Sequence, residues 1–198
     1  TYFNTTEFEK FMNKVPSHIL VIMDEAYFEY SEHVSDYPNS MYYRYDNVIT
    51  LRTFSKVYGL AGLRVGYGFA HHELIANLLK VKLPFEPSLA AQEAAIAALD
   101  DKDHISKTLE VNFSEKENMQ KVFREFKISF IDSVTNFITI VFNSELEANT
   151  FVSHMLKEGI IVRALNSFGL KECVRVSVGT EEENKFFYNK LSLITSKV

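Results

Sequence analysis

The chain has 198 residues, 46% of them hydrophobic and 24% charged, a composition typical of a folded globular protein rather than a disordered one. Its net charge of −5 argues against nucleic acid as a partner, because nucleic-acid-binding surfaces are basic. A single cysteine, Cys173, excludes an intrachain disulfide and favours a reducing compartment such as the cytoplasm. No apolar run approaches the roughly 20 residues that cross a bilayer, so we expect neither a membrane span nor a signal peptide.

The first predicted elements are a short helix over residues 5–15 and a strand over residues 18–23. Thr6 and Glu9 have the spacing of a capping box, and Pro16 ends the helix. The strand is a continuous apolar run, which predicts burial on both faces and a place in a parallel sheet.

A carboxylate, Asp24, directly follows this strand, at the strand end where open α/β sheets bind ligands. From its position alone, a helix N-cap or a loop carboxylate is an equally good interpretation. The next predicted strands cover residues 47–53 and 63–70, and the polar turn between them contains Lys56.

The rest of the chain is predicted to form helices and then a second group of strands. Helices are expected over residues 73–82 and 89–99, and a long helix follows to about residue 126. Beyond it, the order β-β-α-β-β-α predicts a small α+β domain, with capping boxes at Ser144/Glu147 and Thr180/Glu183. The chain therefore divides into residues 1–100, part of an α/β domain with a mostly parallel sheet, and residues 101–198, a connecting helix with the small domain.

Considered alone, Lys56 is most simply interpreted as a surface lysine. The side chains expected near it favour a functional role instead. The ends of two parallel strands lie side by side, and the following strand returns to them. The side chains expected to meet there are an amine, a carboxylate, a phenol, two hydroxyls and a guanidinium: Lys56, Asp24, Tyr27, Thr53, Ser55 and Arg64. This set of side chains suits the cofactor pyridoxal phosphate. A lysine forms a Schiff base with the aldehyde of the cofactor, and a carboxylate keeps the pyridine nitrogen of the cofactor protonated. A phenol can hydrogen-bond the ring oxygen O3′, and hydroxyls with an arginine can hold the phosphate.

Residues 24–27 followed by residues 53–67 resemble the fold-type I, aspartate-aminotransferase-like enzymes, and within them most closely the histidinol-phosphate aminotransferases. Segments 136–137, 159–163 and 174–184 also match the pattern of that subfamily, so the resemblance covers essentially the whole chain. It implies part of the large domain of a pyridoxal-phosphate-dependent transferase, followed by its small C-terminal domain.

Carried over by position, the resemblance implies a role for each polar residue near the lysine. Lys56 would bind the cofactor covalently and then shuttle a proton between the substrate Cα and the cofactor atom C4′. Asp24 would pair with the pyridine nitrogen, and Tyr27 with O3′. The phosphate would be held by three side chains: Thr53, Ser55 and Arg64.

Two arginines in the second half are implied to bind substrate. Arg175 matches the arginine that binds the substrate α-carboxylate, or an acidic group in its place. Arg163 would help to bind a substrate phosphate, although a surface arginine at a strand end is an equally good interpretation. No metal site is predicted, because the adjacent His71 and His72 point apart on a helix.

The resemblance implies amino transfer between L-histidinol phosphate and 2-oxoglutarate, with glutamate as its counterpart, by a cytoplasmic homodimer of histidine biosynthesis. The alternatives are an aromatic or broad amino-acid aminotransferase, a related pyridoxal-phosphate decarboxylase, or an inert truncated domain. Family members carry further residues upstream, including a glycine-rich loop for the phosphate, and a second subunit completes their sites. We therefore expect this chain to hold the lysine part of a site and to be inactive alone.

Overall fold

The computed structural model describes residues 2–195, with side chains described through Ser192. The chain divides into two compact units, Tyr2–Lys107 and the residues from Thr108 onward. This division falls inside a long helix, whereas the predicted boundary lies just before it. Among the described residues, no helix is long and apolar enough to cross a membrane, and no group of His, Cys, Asp and Glu could hold a metal ion.

The first unit contains a three-stranded sheet and the helices around it. Its strands are β1 (Val21–Asp24), β2 (Val48–Thr53) and β3 (Gly66–Ala70). Its helices are α1 (Thr5–Met12), α2 (Phe28–Ser31), α3 (His72–Val81) and α4 (Leu89–Asp100), with 3-10 turns at Ser40–Tyr42 and Ala61–Leu63. Helix α5 (Lys102–Glu125) begins in this unit and continues into the second.

The sheet of the first unit is mixed over these three strands rather than mostly parallel. β1 runs parallel to β2, with Asp24 opposite Leu51. β3 runs antiparallel to β2, with Gly66 opposite Thr53. The link between β2 and β3 contains no α-helix to carry a parallel crossover, which explains the antiparallel return.

The prediction that the first strand is buried on both faces is wrong. Val21 and Met23 are buried in a cluster with Phe8 and other residues of the first unit, but Ile22 between them is 61% exposed. Side chains alternate between the two faces of a strand, so one face is covered and the other is open to solvent. A continuous apolar run marks a strand, but it does not tell which faces this chain itself covers.

The N-terminal cap of α1 also differs from the prediction. The capping box is formed by Asn4 and Glu7 rather than by Thr6 and Glu9. The Glu7 N–H donates to Asn4 Oδ1 at 2.9 Å, and the Asn4 N–H donates to Glu7 Oε2 at 2.8 Å. Both pairs have the same spacing, and asparagine is at least as good an N-cap as threonine, so spacing alone did not choose between them.

The second unit contains a four-stranded antiparallel sheet with strand order β4-β5-β7-β6. Its strands are β4 (Phe130–Ile131), β5 (Phe137–Val141), β6 (Arg163–Ala164) and β7 (Cys173–Ser177), and its helices are α6 (Glu145–Lys157) and α7 (Glu181–Thr195). The predicted order β-β-α-β-β-α is confirmed. Met119, Phe123 and Ile138 are fully buried in the core that α5, α6 and α7 form with this sheet. Thr180 and Glu183 cap α7 as predicted, since the Glu183 N–H donates to Thr180 Oγ1 at 3.3 Å.

Gly66, at the start of β3, lies close against the backbone of β2. A Cβ at this position would lie 2.8 Å from the Arg52 carbonyl oxygen, a distance that real Cβ atoms essentially never show. We expect Gly66→Ala to lower the free energy of unfolding by about 1–3 kcal/mol, because the strand has to shift. Gly62→Ala is the matched control, since nothing lies within 4 Å of a Cβ there. Urea unfolding measures both variants, and equal midpoints would contradict the close approach.

Candidate functional site

Lys56 lies in a turn between β2 and β3 that the backbone closes on itself. The Phe54 N–H donates to the Val65 carbonyl at 3.2 Å, and the Leu60 N–H donates to the Phe54 carbonyl at 2.9 Å. Phe54 and Val65 are buried against α4, and this packing anchors both ends of the turn. Lys56 is therefore held half-buried on a fixed backbone.

Asp24 is the last residue of β1 rather than the first residue after it, and Tyr27 follows the strand as predicted. The Lys56 Nζ lies 5.0 Å from the centroid of the Tyr27 ring. The exposed Asp24 carboxylate accepts a hydrogen bond from the Ala26 N–H at 3.1 Å, so it does cap the turn that follows β1. Within residues 2–195, neither the Lys56 amine nor the Asp24 carboxylate has an ion-pair partner, so both can engage a ligand.

Thr53, Ser55 and Arg64 lie around the same turn. Thr53 Oγ1 accepts a hydrogen bond from the Ser55 N–H at 3.1 Å, so this hydroxyl already helps to shape the turn. Arg64 was predicted to lie on the third strand, but it precedes β3 and has a left-handed backbone with φ 53° and ψ 48°. That conformation is incompatible with a strand. Its guanidinium donates to the Ala61 carbonyl at 2.7 Å and is otherwise exposed.

The two predicted substrate arginines lie in the second unit, on neighbouring strands. Arg163 on β6 is opposite Arg175 on β7, so both side chains lie on one face of the sheet. Like charges directly opposite each other destabilise a sheet. In the part of the chain that the structure describes, no acidic side chain pairs with either guanidinium, and Arg175 lies 5.0 Å from the centre of the Phe137 ring. A bound anion would offset their repulsion, so the pair is a candidate site for a carboxylate or a phosphate.

A buried ion pair next to the strand ends was missed at the level of sequence. Arg52 Nη2 and Nε donate to Glu25 Oε2 at 2.8 and 3.0 Å, and the two side chains are 8% and 2% exposed. The second carboxylate oxygen of Glu25 accepts the Ser40 N–H at 2.9 Å. Breaking such a buried pair typically costs about 3–5 kcal/mol. The available signal was the single charge within the predicted strand over residues 47–53, together with an acidic residue just after the preceding strand.

Glu29 lies near this pair, and burial raises the pKa of its carboxyl, opposed by Arg52 and by a hydrogen bond with Tyr58. Because the folded-state pKa is above the unfolded one, Glu29 stabilises the fold at low pH, and this contribution is lost as pH rises through the folded-state pKa. We expect Glu29→Gln to unfold at a higher urea concentration than the unmodified chain at pH 7. The difference should shrink as pH falls toward 4.5, the ordinary value for this carboxyl.

The control for this measurement is Glu93→Gln, which removes an exposed carboxyl from α4 beyond its first turn, where the helix dipole no longer acts strongly. Its urea midpoint should follow that of the unmodified chain across the same pH range. A constant offset for Glu29→Gln at every pH would contradict a raised pKa.

With the geometry of the turn described, the chain can be compared with known proteins. Residues 1–191 match the family model described as aminotransferase class I and II. The chain therefore belongs to the class I and II aminotransferase family, which confirms the resemblance seen in the sequence.

Several curated relatives that the chain matches are histidinol-phosphate aminotransferases. The chain is 42% identical, over 97% of its length, to the histidinol-phosphate aminotransferase of Geobacillus sp. strain WCH70, and 43% identical over 90% to that of Akkermansia muciniphila. It spans about half the length of these curated relatives, 52% and 48% respectively. The whole chain also matches 54% of the crystal structure of histidinol-phosphate aminotransferase from Sinorhizobium meliloti in complex with pyridoxal-5'-phosphate, with a TM-score of 0.92 and 25% identity.

Proposed function

We propose that the protein is a pyridoxal-phosphate-dependent aminotransferase that moves an amino group between L-histidinol phosphate and 2-oxoglutarate. The observation that carries this proposal is the Lys56 turn, because an amine without an ion-pair partner among the described residues lies 5.0 Å from the Tyr27 ring, at the strand end that bears Asp24. The names of the relatives at 42% and 43% identity support the substrate. A cytoplasmic homodimer, which the resemblance implies, belongs to the same proposal.

The polar side chains of the first unit fit the cofactor group by group. Lys56 would take its aldehyde, Asp24 its pyridine nitrogen and Tyr27 its ring oxygen O3′. The phosphate would be held by the groups that flank the turn: Thr53, Ser55 and Arg64. When bound, pyridoxal phosphate supplies a protonated ring that withdraws electrons from the substrate Cα.

Each residue of the site then has a stated task. Lys56 would hold the aldehyde of the cofactor, and its amine would carry a proton between the substrate Cα and the cofactor atom C4′. Asp24, an exposed carboxylate, favours the protonated form of the ring nitrogen through its charge. Arg64 binds the phosphate through its planar, permanently charged guanidinium. Ser55 contributes its hydroxyl, while Thr53 also fixes the turn through the Ser55 N–H.

The arginine pair of the second unit gives this function its anion site. Arg175 and Arg163 would receive the acidic group of each substrate in turn, the phosphate of L-histidinol phosphate and a carboxylate of 2-oxoglutarate. Arginine suits both, because its fork of N–H donors pairs with carboxylates and phosphates alike. Their cross-strand position, with two like charges on one face, supports this assignment.

The test uses reductive trapping of the cofactor. The purified chain is supplied with pyridoxal phosphate and reduced with borohydride, and the modified lysine is located by peptide mass spectrometry. Attachment should concentrate at Lys56, and L-histidinol phosphate added before reduction should lower it more than an aromatic amino acid does. Attachment spread evenly over surface lysines would overturn the cofactor assignment. The opposite substrate order would favour the aromatic aminotransferase.

A further expectation concerns the activity of the chain by itself. Because the chain spans about half of them, we expect it to trap the cofactor but to show no full-rate amino transfer by itself. A steady-state transamination assay of the chain alone at the rate of a complete family member would contradict this expectation.

A further inference from the structure

Glu25 and Arg52 each stand next in sequence to a residue that is proposed to hold the cofactor, Asp24 and Thr53. Because successive side chains along a strand point to opposite faces, the ion pair lies on one face of the sheet and the two proposed ligands lie on the other. The Glu25 N–H donates to the Leu51 carbonyl at 2.9 Å, which continues the parallel pairing of β1 and β2. The ion pair therefore bridges two neighbouring strands where both of them end.

The Arg52 guanidinium is held from several sides. Its Cζ lies 3.4 Å from the centre of the Phe28 ring, and the Phe69 ring of β3 lies 5.5 Å away. Its Nη2 also donates to Asn39 Oδ1 at 3.0 Å, in addition to its bond with Glu25. A planar guanidinium with fixed donor directions, packed in this way, restricts distances more closely than a flexible ammonium would.

We propose that Glu25 and Arg52 form a positioning pair that fixes the offset between the end of β1 and the end of β2. This inference rests on the proposed function, because those two ends carry Asp24 with Tyr27 and the turn with Lys56. Neither member of the pair is proposed to contact the cofactor, because both lie on the face of the sheet opposite to Asp24 and Thr53. The pair acts by fixing the distance between the Asp24 carboxylate, which is proposed to pair with the ring nitrogen, and the Lys56 amine, which is proposed to bond to the aldehyde.

The experiment separates position from stability by removing both charges together. Arg52→Met alone leaves the Glu25 carboxylate buried and unpaired, whereas the double variant Glu25→Met/Arg52→Met removes both charges, so the double variant should unfold at a higher urea concentration than Arg52→Met. It should still unfold below the unmodified chain, because the buried Ser40 N–H loses its acceptor on Glu25. Its dissociation constant for pyridoxal phosphate should nevertheless rise by about 10-fold, the loss expected when a displaced side chain no longer makes one hydrogen bond to the bound group. The pH at which the absorbance of the bound cofactor changes should shift as well. Arg52→Lys keeps the positive charge but loses the planar guanidinium with its two donors to Glu25. Its dissociation constant for pyridoxal phosphate should lie between those of the unmodified chain and the double variant.

A second measurement needs no cofactor. Hydrogen exchange of the cofactor-free chain should accelerate in Arg52→Met at both strand ends, in residues 25–27 and 53–57, while α6 stays unchanged. If Arg52→Met does not fold, the double variant carries the same measurement. Lys121→Met is the control, since it removes an exposed ion pair with Glu117 and should alter neither exchange nor binding.

The outcomes distinguish this proposal from the one on which it rests. Exchange that stays unchanged at either strand end overturns the positioning role. So does a double variant that binds the cofactor with the dissociation constant and pH profile of the unmodified chain. If the unmodified chain binds no cofactor while exchange rises at both strand ends, the proposed function fails and the positioning of the strand ends stands.

Discussion

Replacement of Lys56 by alanine is expected to abolish covalent attachment of pyridoxal phosphate to the chain. Among protein side chains only a primary amine forms a Schiff base with the aldehyde, and Lys56 is the amine that the closed turn holds 5.0 Å from the Tyr27 ring. The visible absorbance of the lysine-bound cofactor should disappear, and borohydride should trap no cofactor in this turn. Reversible binding through the other side chains should persist at lower affinity. In a preparation competent for amino transfer, the rate should fall by about 10²- to 10⁴-fold, the usual contribution of a positioned acid–base group.

Lys80→Ala is the matched control, because Lys80 is an exposed lysine of the same unit, near the end of α3. It should keep both the absorbance and the trapped cofactor of the unmodified chain. An undiminished absorbance in Lys56→Ala would show that another lysine is the attachment site.

The second large effect is expected for Asp24→Asn. The amide is nearly the same size as the carboxylate but carries no charge, so it stops favouring the protonated pyridine nitrogen. The pKa of that nitrogen in the bound cofactor should fall by about 1–3 units, the range found when a nearby opposite charge is removed. A pH titration of the absorbance of the bound cofactor measures this shift directly. In a protein competent for amino transfer, turnover should nearly vanish, because the neutral ring withdraws electrons poorly.

Asp46→Asn tests whether the loss of any carboxylate would produce the same shift. Asp46 is exposed and precedes β2, at the opposite end of that strand from the lysine turn. Its replacement should leave the titration unchanged. A titration of Asp24→Asn that matches the unmodified chain would remove Asp24 from the site and leave it as the cap of its turn.

Features encoded by neighbouring residues were predictable from the sequence. The number and order of the strands, the cap of α7 at Thr180 and the left-handed Gly159 after α6 follow from local patterns, although the third strand begins at Gly66 rather than at residue 63. The β-β-α-β-β-α order followed from those elements in turn. Local patterns failed where two solutions were equally good, as with Asn4 and Thr6 at the start of α1. They also failed for the exposed face of β1, because burial depends on what the fold places against a strand.

The candidate site shows the same division. The lysine turn and the segment at the end of β1 could be predicted as neighbours because each is a contiguous motif, and the parallel pairing of β1 with β2 brings Lys56 to 5.0 Å from the Tyr27 ring. The Glu25–Arg52 pair was missed, because its sequence signal is two single charges far apart in the chain, and charged side chains are usually found at the surface. Only the three-dimensional pairing of the strands turns those two charges into a buried contact.

At residue 64, the requirements of thermal stability and of ligand binding conflict, because Arg64 has a left-handed backbone. A residue with a Cβ in this conformation costs roughly 1–2 kcal/mol, whereas glycine adopts it freely. Arg64→Gly relieves this strain but also loses the hydrogen bond from the guanidinium to the Ala61 carbonyl, so the gain in heat resistance should be small, and the proposed phosphate anchor is lost. Selection for stability alone would discard this arginine, and selection for cofactor retention would keep it despite the strain. Any effort to stabilise this protein should accordingly leave residue 64 unchanged, although its backbone alone marks it as an obvious place for improvement.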